Sequence, residues 1–180
     1  MEQQVHQRNL ATREERALRE ISELRQAVEG HLSYLAGLAS TPDPGAGDRR
    51  AASLLAGVRD DLEYRVLVSG VRTAVARAVP EGATVLVASH GDDGLLSLGG
   101  RHGWHFPHTD GGAYAGSHPA DTEEALAGLD AQRAKGAGYL VLPRTGLWWL
   151  TSYPGLEDGL DARGARIWED DSCLIYRLGG

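Results

Sequence analysis

Candidate chemistry is concentrated in residues 84–119, which contain five of the chain's seven histidines. This stretch begins with a run that is typical of a buried strand, Thr84–Ser89, and then breaks into the polar residues of 90–94. α/β proteins usually bind ligands where parallel strands end. We therefore expect the ligand-binding groups to follow the strands. The expected ligand-binding residues are Ser89, His90, Gly91, Asp92, Asp93, His105, Tyr114 and Arg144.

The acidic pair Asp92 and Asp93 allows two interpretations. Either carboxylate could cap a short helix over Leu95–Leu98. Alternatively, one of them could bind a sugar hydroxyl, a ribose or a metal. Together with His105, this pair supplies groups suited to general acid–base chemistry, so Asp92, Asp93 and His105 are the candidate catalytic residues.

The histidines are not spaced like a metal site. His102, His105 and His108 recur every three residues, which suits a helix, but Gly103 and Pro107 interrupt one. No GxGxxG motif follows the first strand, and no GxxxxGK[ST] motif occurs. We therefore predict neither a metal nor a cofactor.

A nucleophilic triad is also disfavoured, because Ser89 is not part of a GxSxG elbow.

Aromatic and basic residues near the later strands are ambiguous. Trp148 and Trp149 are adjacent, so one ring can enter the core while the other faces outwards, where it could stack on a sugar. Tyr114 lies in a glycine-rich loop that suits either a lid or an ordinary crossover. Arg144 follows Pro143 and is either an anion-binding group or a surface residue.

These groups require an α/β framework. The pattern predicts strands at 84–89, 102–106 and 139–142, a helix from Asp121 to about Lys135, short helices near Trp148 and Leu156, and a hairpin of 165–169 with 173–178. Asp121 and Glu124 have the spacing of a capping box. We predict a three-layer Rossmann-like sandwich of residues 81–180, with a mostly parallel sheet and a C-terminal antiparallel hairpin.

A helical arm precedes this domain. Residues 1–40 have apolar positions at alternating three- and four-residue steps for about four heptads, which is typical of a coiled coil. The arm could pair with a second copy of the chain or fold back on the protein's own second helix. Its expected oligomerisation residues are Leu10, Ala17, Ile21, Leu24, Val28, Leu35 and Leu38.

A linker and a second helix join the arm to the domain. Residues 41–48 contain two prolines and two glycines, which predict a linker. A connecting helix follows over 49–80, and its apolar face changes near Tyr64, as in a curved helix or two successive ones.

The composition of the chain disfavours several classes of function. The net charge of −7 disfavours binding to nucleic acid or to an anionic membrane. No apolar run reaches the length of a membrane span, and no signal peptide begins the chain, so we expect a cytoplasmic protein. The only cysteine, Cys173, lies in an apolar run and is expected to be an inert buried thiol. Frequent Arg, Ala and Gly with a single lysine indicate a GC-rich bacterial source.

Residues 62–178 resemble a small α/β domain found in large bacterial glycosyltransferases and methyltransferases of surface-polysaccharide synthesis. The resemblance implies a link with glycan or glycoconjugate assembly, and it implies no catalytic residue. In this sequence a helical arm replaces the transferase domain, so no transferase activity is carried over. The matching segments are Val79-Pro80, Gly82–Val87, Ser89, Gly91-Asp92-Asp93, Leu95-Leu96, Gly100-Arg101, His105-Phe106-Pro107, Tyr114-Ala115-Gly116, His118–Asp121, Gly136-Ala137, Tyr139–Val141, Trp148-Trp149-Leu150 and Tyr153.

Three functions are consistent with the sequence. The favoured one is a non-catalytic, self-associating module that binds a small ligand or a partner protein at the strand ends. The second is a small hydrolase or transferase that uses Asp92 or Asp93 with His105, with or without a metal. The third is a structural subunit whose arm binds a different protein.

Overall fold

The computed structural model describes residue 30 and residues 44–109 and 113–179. The chain divides into two units, Met1–Asp60 and Asp61–Gly180. The predicted seam residues, from Leu10 to Leu38, lie outside the described residues, so the coiled-coil arm remains a prediction.

The first described element is one continuous helix, α1, over Pro44–Ala78. It begins inside the segment that we assigned to a linker, because the first turn of a helix tolerates proline. No break occurs at Tyr64, so of the two alternatives for this segment the structure contains one helix rather than two.

A mixed five-stranded sheet forms the centre of the second unit, in the order β2-β1-β3-β5-β4. β1 pairs in parallel with β2 and β3, whereas β5 pairs antiparallel with β3 and β4. The predicted α/β class and C-terminal hairpin are therefore confirmed. The strands are β1 Thr84–Val87, β2 His102–His105, β3 Ala137–Pro143, β4 Gly164–Glu169 and β5 Cys173–Leu178.

The remaining helices are short and follow the strands. They are a 3-10 helix at Asp93–Leu96, α2 at Thr122–Ala134, a 3-10 helix at Arg144–Gly146, α3 at Trp148–Ser152 and α4 at Leu156–Asp161.

The last three residues of β1, Val85–Val87, are apolar and buried on both faces of the sheet. Val85 and Val87 belong to one hydrophobic cluster, together with Val71 of α1. Leu86 belongs to a second cluster, together with Leu129 of α2. Because both faces are covered at these three positions, none of them faces solvent, which explains the apolar run Val85–Val87. Each such side chain contributes about 1.5–3 kcal/mol by its burial.

The predicted capping box sets the start of α2. The Asp121 carboxylate accepts a hydrogen bond from the Glu124 N–H at 2.9 Å. The Glu124 carboxylate in turn accepts from the N–H of Ala120, one residue before the cap, at 2.5 Å. Gly136 follows the helix at φ +102°, a conformation that favours glycine.

Within 44–109 and 113–179, no helix has both the length and the apolar character needed to cross a lipid bilayer.

A substitution at Gly103 tests the packing of β2 against the 3-10 helix at Asp93–Leu96. A Cβ at this position would lie 2.5 Å from the backbone oxygen of Leu96 and 2.9 Å from its Cα. Because backbone atoms cannot rotate away, we expect Gly103→Ala to reduce the free energy of unfolding by about 1–3 kcal/mol in urea denaturation. Gly138→Ala in β3 is the matched control, since no atom lies within 4 Å of its Cβ position. Equal losses in the two variants would contradict this packing.

Candidate functional site

The carboxyl ends of the three parallel strands meet at one edge of the sheet. Val87 at the end of β1 is in register with His105 of β2 and Val141 of β3. The residues that follow these strands therefore lie close together, as the sequence predicted from the general rule for α/β folds.

The loop after β1 turns sharply. The Ser89 N–H donates to the Val87 oxygen at 2.8 Å, and the Asp92 N–H donates to the Ser89 oxygen at 3.0 Å. His90 and Gly91 both have positive φ, +54° and +85°. This conformation is uncommon for a non-glycine residue and is often found at functional sites.

Asp92 is a cap and also a tertiary contact. Its Oδ1 accepts from the Gly94 N–H at 2.8 Å, which caps the 3-10 helix, and from the Tyr64 hydroxyl at 2.9 Å. The pKa of Tyr64 is raised, first by burial and then by its hydrogen bond to the negative Asp92. The capping interpretation of Asp92 is therefore realised, and the carboxylate also links the loop to α1.

Ser89, His105 and Asp93 form a continuous hydrogen-bonded chain. Ser89 Oγ lies 2.6 Å from His105 Nδ1, and His105 Nε2 lies 3.0 Å from Asp93 Oδ1. A carboxylate can only accept, so in the neutral ring Nε2 carries the proton and Nδ1 accepts from the Ser89 hydroxyl. Ser89 is 3% exposed and the His105 side chain 7%, whereas the Asp93 side chain is 91% exposed.

The rings of His90, His118 and Trp148 contact one another next to the loop. The His90 ring centroid lies 4.8 Å from that of His118 and 5.5 Å from that of Trp148, and the last two rings are 5.1 Å apart. The pKa of His90 is lowered, first by burial and then by the like charge of His118. Trp148 is 37% exposed and Trp149 is 1% exposed, so the two neighbours divide between surface and core as expected.

A cleft of about 450 Å³ opens between the loop, α1 and the residues after β3. Its walls combine polar groups with apolar side chains, as is usual for small-molecule sites. The lining residues are Tyr64, Leu67, Ser89, His90, Asp92, Leu95, Thr145 and Trp148.

Of the eight predicted ligand-binding residues, Ser89, His90 and Asp92 line this cleft. Asp93 and His105 connect to it through Ser89. The Tyr114 ring lies 6.1 Å from that of His105, between centroids.

The structure also places the Tyr114 ring against Gly91. A Cβ on Gly91 would lie 3.1 Å from Tyr114 Cδ1, so this contact suits a glycine at 91.

Arg144 is not brought into the cleft lining. Its backbone N–H donates to the Ser172 oxygen, and its side chain is exposed. The 3-10 helix over Arg144–Gly146 turns the chain so that the next residue, Thr145, borders the cleft instead.

Tyr64 is the lining residue that sequence reasoning missed most clearly. It is 28 residues from Asp92, and no local spacing connects the two. The only signal was the change of apolar face near Tyr64, which we interpreted as a feature of the helix alone.

A second depression, of about 490 Å³, borders α2 and includes Asp130 and Arg163. Its two oppositely charged residues, Asp130 and Arg163, already pair at 2.9 Å, and Asp130 also lies 2.9 Å from Arg133. Hydrogen bonding to Arg163 is the main cause of the lowered pKa of Asp130. We therefore place the candidate site at the strand-end cleft despite its slightly smaller volume.

Metal and thiol chemistry have little support in the described part of the chain. Among those residues, no three His, Cys, Asp or Glu side chains are grouped so that they could hold a metal ion. Burial, followed by the negative charge of Asp170, raises the pKa of Cys173 to about 12. A thiol with such a pKa is almost fully protonated at neutral pH and is a poor nucleophile.

The fold and the site together define an α/β domain with a polar cleft at the ends of its parallel strands. Comparison of the chain with protein-family models, with curated proteins and with solved structures finds no match.

The His90–His118 contact can be tested by titration. We expect His118→Gln to raise the pKa of His90, because it removes a like charge, while burial keeps this pKa below the usual 6.5. NMR titration of the histidine ring protons measures the shift. His102→Gln is the control, since His102 lies at the opposite end of the parallel strands. An unchanged His90 pKa in His118→Gln would rule out the interaction.

Proposed function

We propose that this protein is a self-associating α/β module that binds a small polar ligand in the strand-end cleft. The observation that carries this proposal is the placement of Asp92, His90 and Trp148 around one open cleft of about 450 Å³. The resemblance of residues 62–178 to a domain of polysaccharide-synthesis enzymes favours a sugar or a glycoconjugate precursor as the ligand.

The chemistry of the cleft suits a hydroxylated ring. The Asp92 carboxylate accepts hydrogen bonds, and an acceptor is what a sugar hydroxyl needs. The exposed Trp148 ring offers an apolar surface against which the C–H face of a sugar can pack. Carboxylate and indole border the same cleft, so one ligand could contact both.

The architecture that we propose is the three-layer Rossmann-like sandwich. Two hydrophobic clusters support it: one includes α1 and the other includes α2. Each cluster takes alternate residues of β1, as expected for a sheet with helices on both faces.

Ligand binding can be measured with a panel of methyl glycosides and nucleotide sugars, by saturation-transfer NMR and tryptophan fluorescence. We expect Asp92→Asn to weaken binding by roughly tenfold or more, because a hydrogen bond to a charged group is lost. The asparagine oxygen can still accept from Tyr64 and Gly94, so the loop is preserved.

Asp171→Asn is the matched control, because it makes the same chemical change at an exposed residue outside the cleft lining. The proposal fails if no member of the panel binds, or if both variants bind as well as the unmodified chain.

Self-association is proposed to depend on the N-terminal arm. Deletion of residues 1–40 should lower the particle mass measured by multi-angle light scattering to that of a single chain, because it removes the whole apolar seam. A truncated chain with the full-length oligomeric state would exclude the arm as the assembly element. A single-chain mass before and after deletion, with a protein co-purifying only with the full-length chain from its host, would favour the structural-subunit alternative.

A second candidate function is a small hydrolase or transferase. The observation that favours it is the hydrogen bond of 3.0 Å between His105 Nε2 and Asp93, the geometry in which a carboxylate orients a general base. Asp92 contributes to this alternative less directly, since its Oδ1 is bonded to Tyr64 and Gly94.

A further inference from the structure

We propose that Ser89 is a nucleophile for acyl transfer, with His105 as its base, and that the cleft hydrolyses a small carboxylic ester. This inference rests on the second candidate function and identifies its reacting atom. The reason is geometric: a hydroxyl, an imidazole and a carboxylate are linked in series by distances of 2.6 Å and 3.0 Å. Such a series activates a serine hydroxyl whatever the order of its members along the chain.

The protonation state of the series suits this role. Since Asp93 can only accept from Nε2, the neutral His105 ring presents its unprotonated Nδ1 to Ser89. Nδ1 can therefore receive the serine proton, and the developing imidazolium faces a carboxylate on its far side. In the usual triad Nε2 faces the serine and Nδ1 faces the carboxylate. Here Nδ1 faces Ser89 and Nε2 faces Asp93, and either ring nitrogen can accept the serine proton.

Ser89 is only 3% exposed, and the cleft is where a ligand could reach it, since Ser89 belongs to the cleft lining. It borders the cleft and follows β1 at the carboxyl end of the sheet. The backbone N–H groups of His90 and Gly91, immediately after Ser89, donate to no backbone carbonyl among residues 44–109 and 113–179. Two neighbouring N–H groups next to a nucleophile can stabilise the oxyanion of a tetrahedral intermediate.

The reaction balances without a further reagent. Ser89 Oγ forms a bond to the ester carbon, and its proton moves to His105 Nδ1. The bond from that carbon to the alkoxy oxygen then breaks, and the proton passes from Nδ1 to the departing alcohol. Water attacks the acyl-serine in the same way, which releases the carboxylic acid and restores the Ser89 hydroxyl.

The cleft indicates a short acyl group. A volume of about 450 Å³ is at the small end of ligand sites, and Leu67 and Leu95 add apolar walls. An acetyl ester of a hydroxylated compound fits both the apolar walls and the polar Asp92.

The test uses the full-length chain with p-nitrophenyl acetate and a fluorophosphonate probe. We expect hydrolysis above the buffer rate and covalent labelling of Ser89, located by peptide mass spectrometry of the unmodified protein. Ser89→Ala should lower hydrolysis by at least about 100-fold and abolish labelling, because the nucleophile is lost. Ser97→Ala, at an exposed serine outside the cleft lining, should retain both.

Asp93 is a positioning residue, and its exposure limits its effect. We expect Asp93→Ala to lower kcat by roughly fivefold with KM unchanged, because exposed ion pairs are weak. Asp93→Asn should recover part of this loss, since its amide oxygen can still accept from Nε2. Asp171→Ala should change neither constant.

Absence of labelling, or labelling at another residue in the folded protein, overturns the inference. The labelled residue is located on the unmodified chain, so this result does not depend on whether Ser89→Ala folds. A glycoside that binds without any labelling refutes the nucleophile and leaves the binding proposal intact. Labelling of Ser89 without glycoside binding supports the nucleophile and removes the sugar ligand.

Discussion

Burial of both faces of β1 is the constraint on which the rest of this domain depends. Val85, Leu86 and Val87 are fully buried, and the two clusters around them include α1, which precedes β1 in the sequence, and α2, which follows it. Because β1 pairs with β2 and β3 in parallel, this burial also fixes where all three strands end. The polar loop can leave the core only at that edge, so the cleft follows from the packing of the strand.

The buried polar groups at this edge form hydrogen bonds with one another, whereas the exposed ones can form them with water. Ser89 and His105 are nearly inaccessible and bond to each other, because an unpaired buried polar group is costly. Asp93 is exposed and can use water, whereas half-buried Asp92 accepts from a backbone N–H and from Tyr64. The residues that make the Asp92 contact, Asp92 and Tyr64, both line the cleft.

Local signals predicted most of the framework. The apolar run of β1, the Asp121–Glu124 capping box and the C-terminal hairpin lie where the sequence indicated, because each depends on neighbouring residues. The start of α1 was misplaced, since proline in a first turn does not distinguish a linker from a helix. The Ser89–His105 pair was missed because it joins two parallel strands 16 residues apart, and the absence of a GxSxG motif argued against it.

The sequence by itself determined the α/β class, the strand-end loop and the acidic pair, because periodicity, glycine and capping act over a few residues. Only the tertiary structure decided that Tyr64 and Trp148 share a cleft with Asp92, and that Arg144 does not line it. It also decided which carboxylate meets His105: Asp93 rather than Asp92 bonds to Nε2. Two adjacent carboxylates are equivalent in sequence, and only the tertiary structure gives them different partners: Tyr64 for Asp92 and His105 for Asp93.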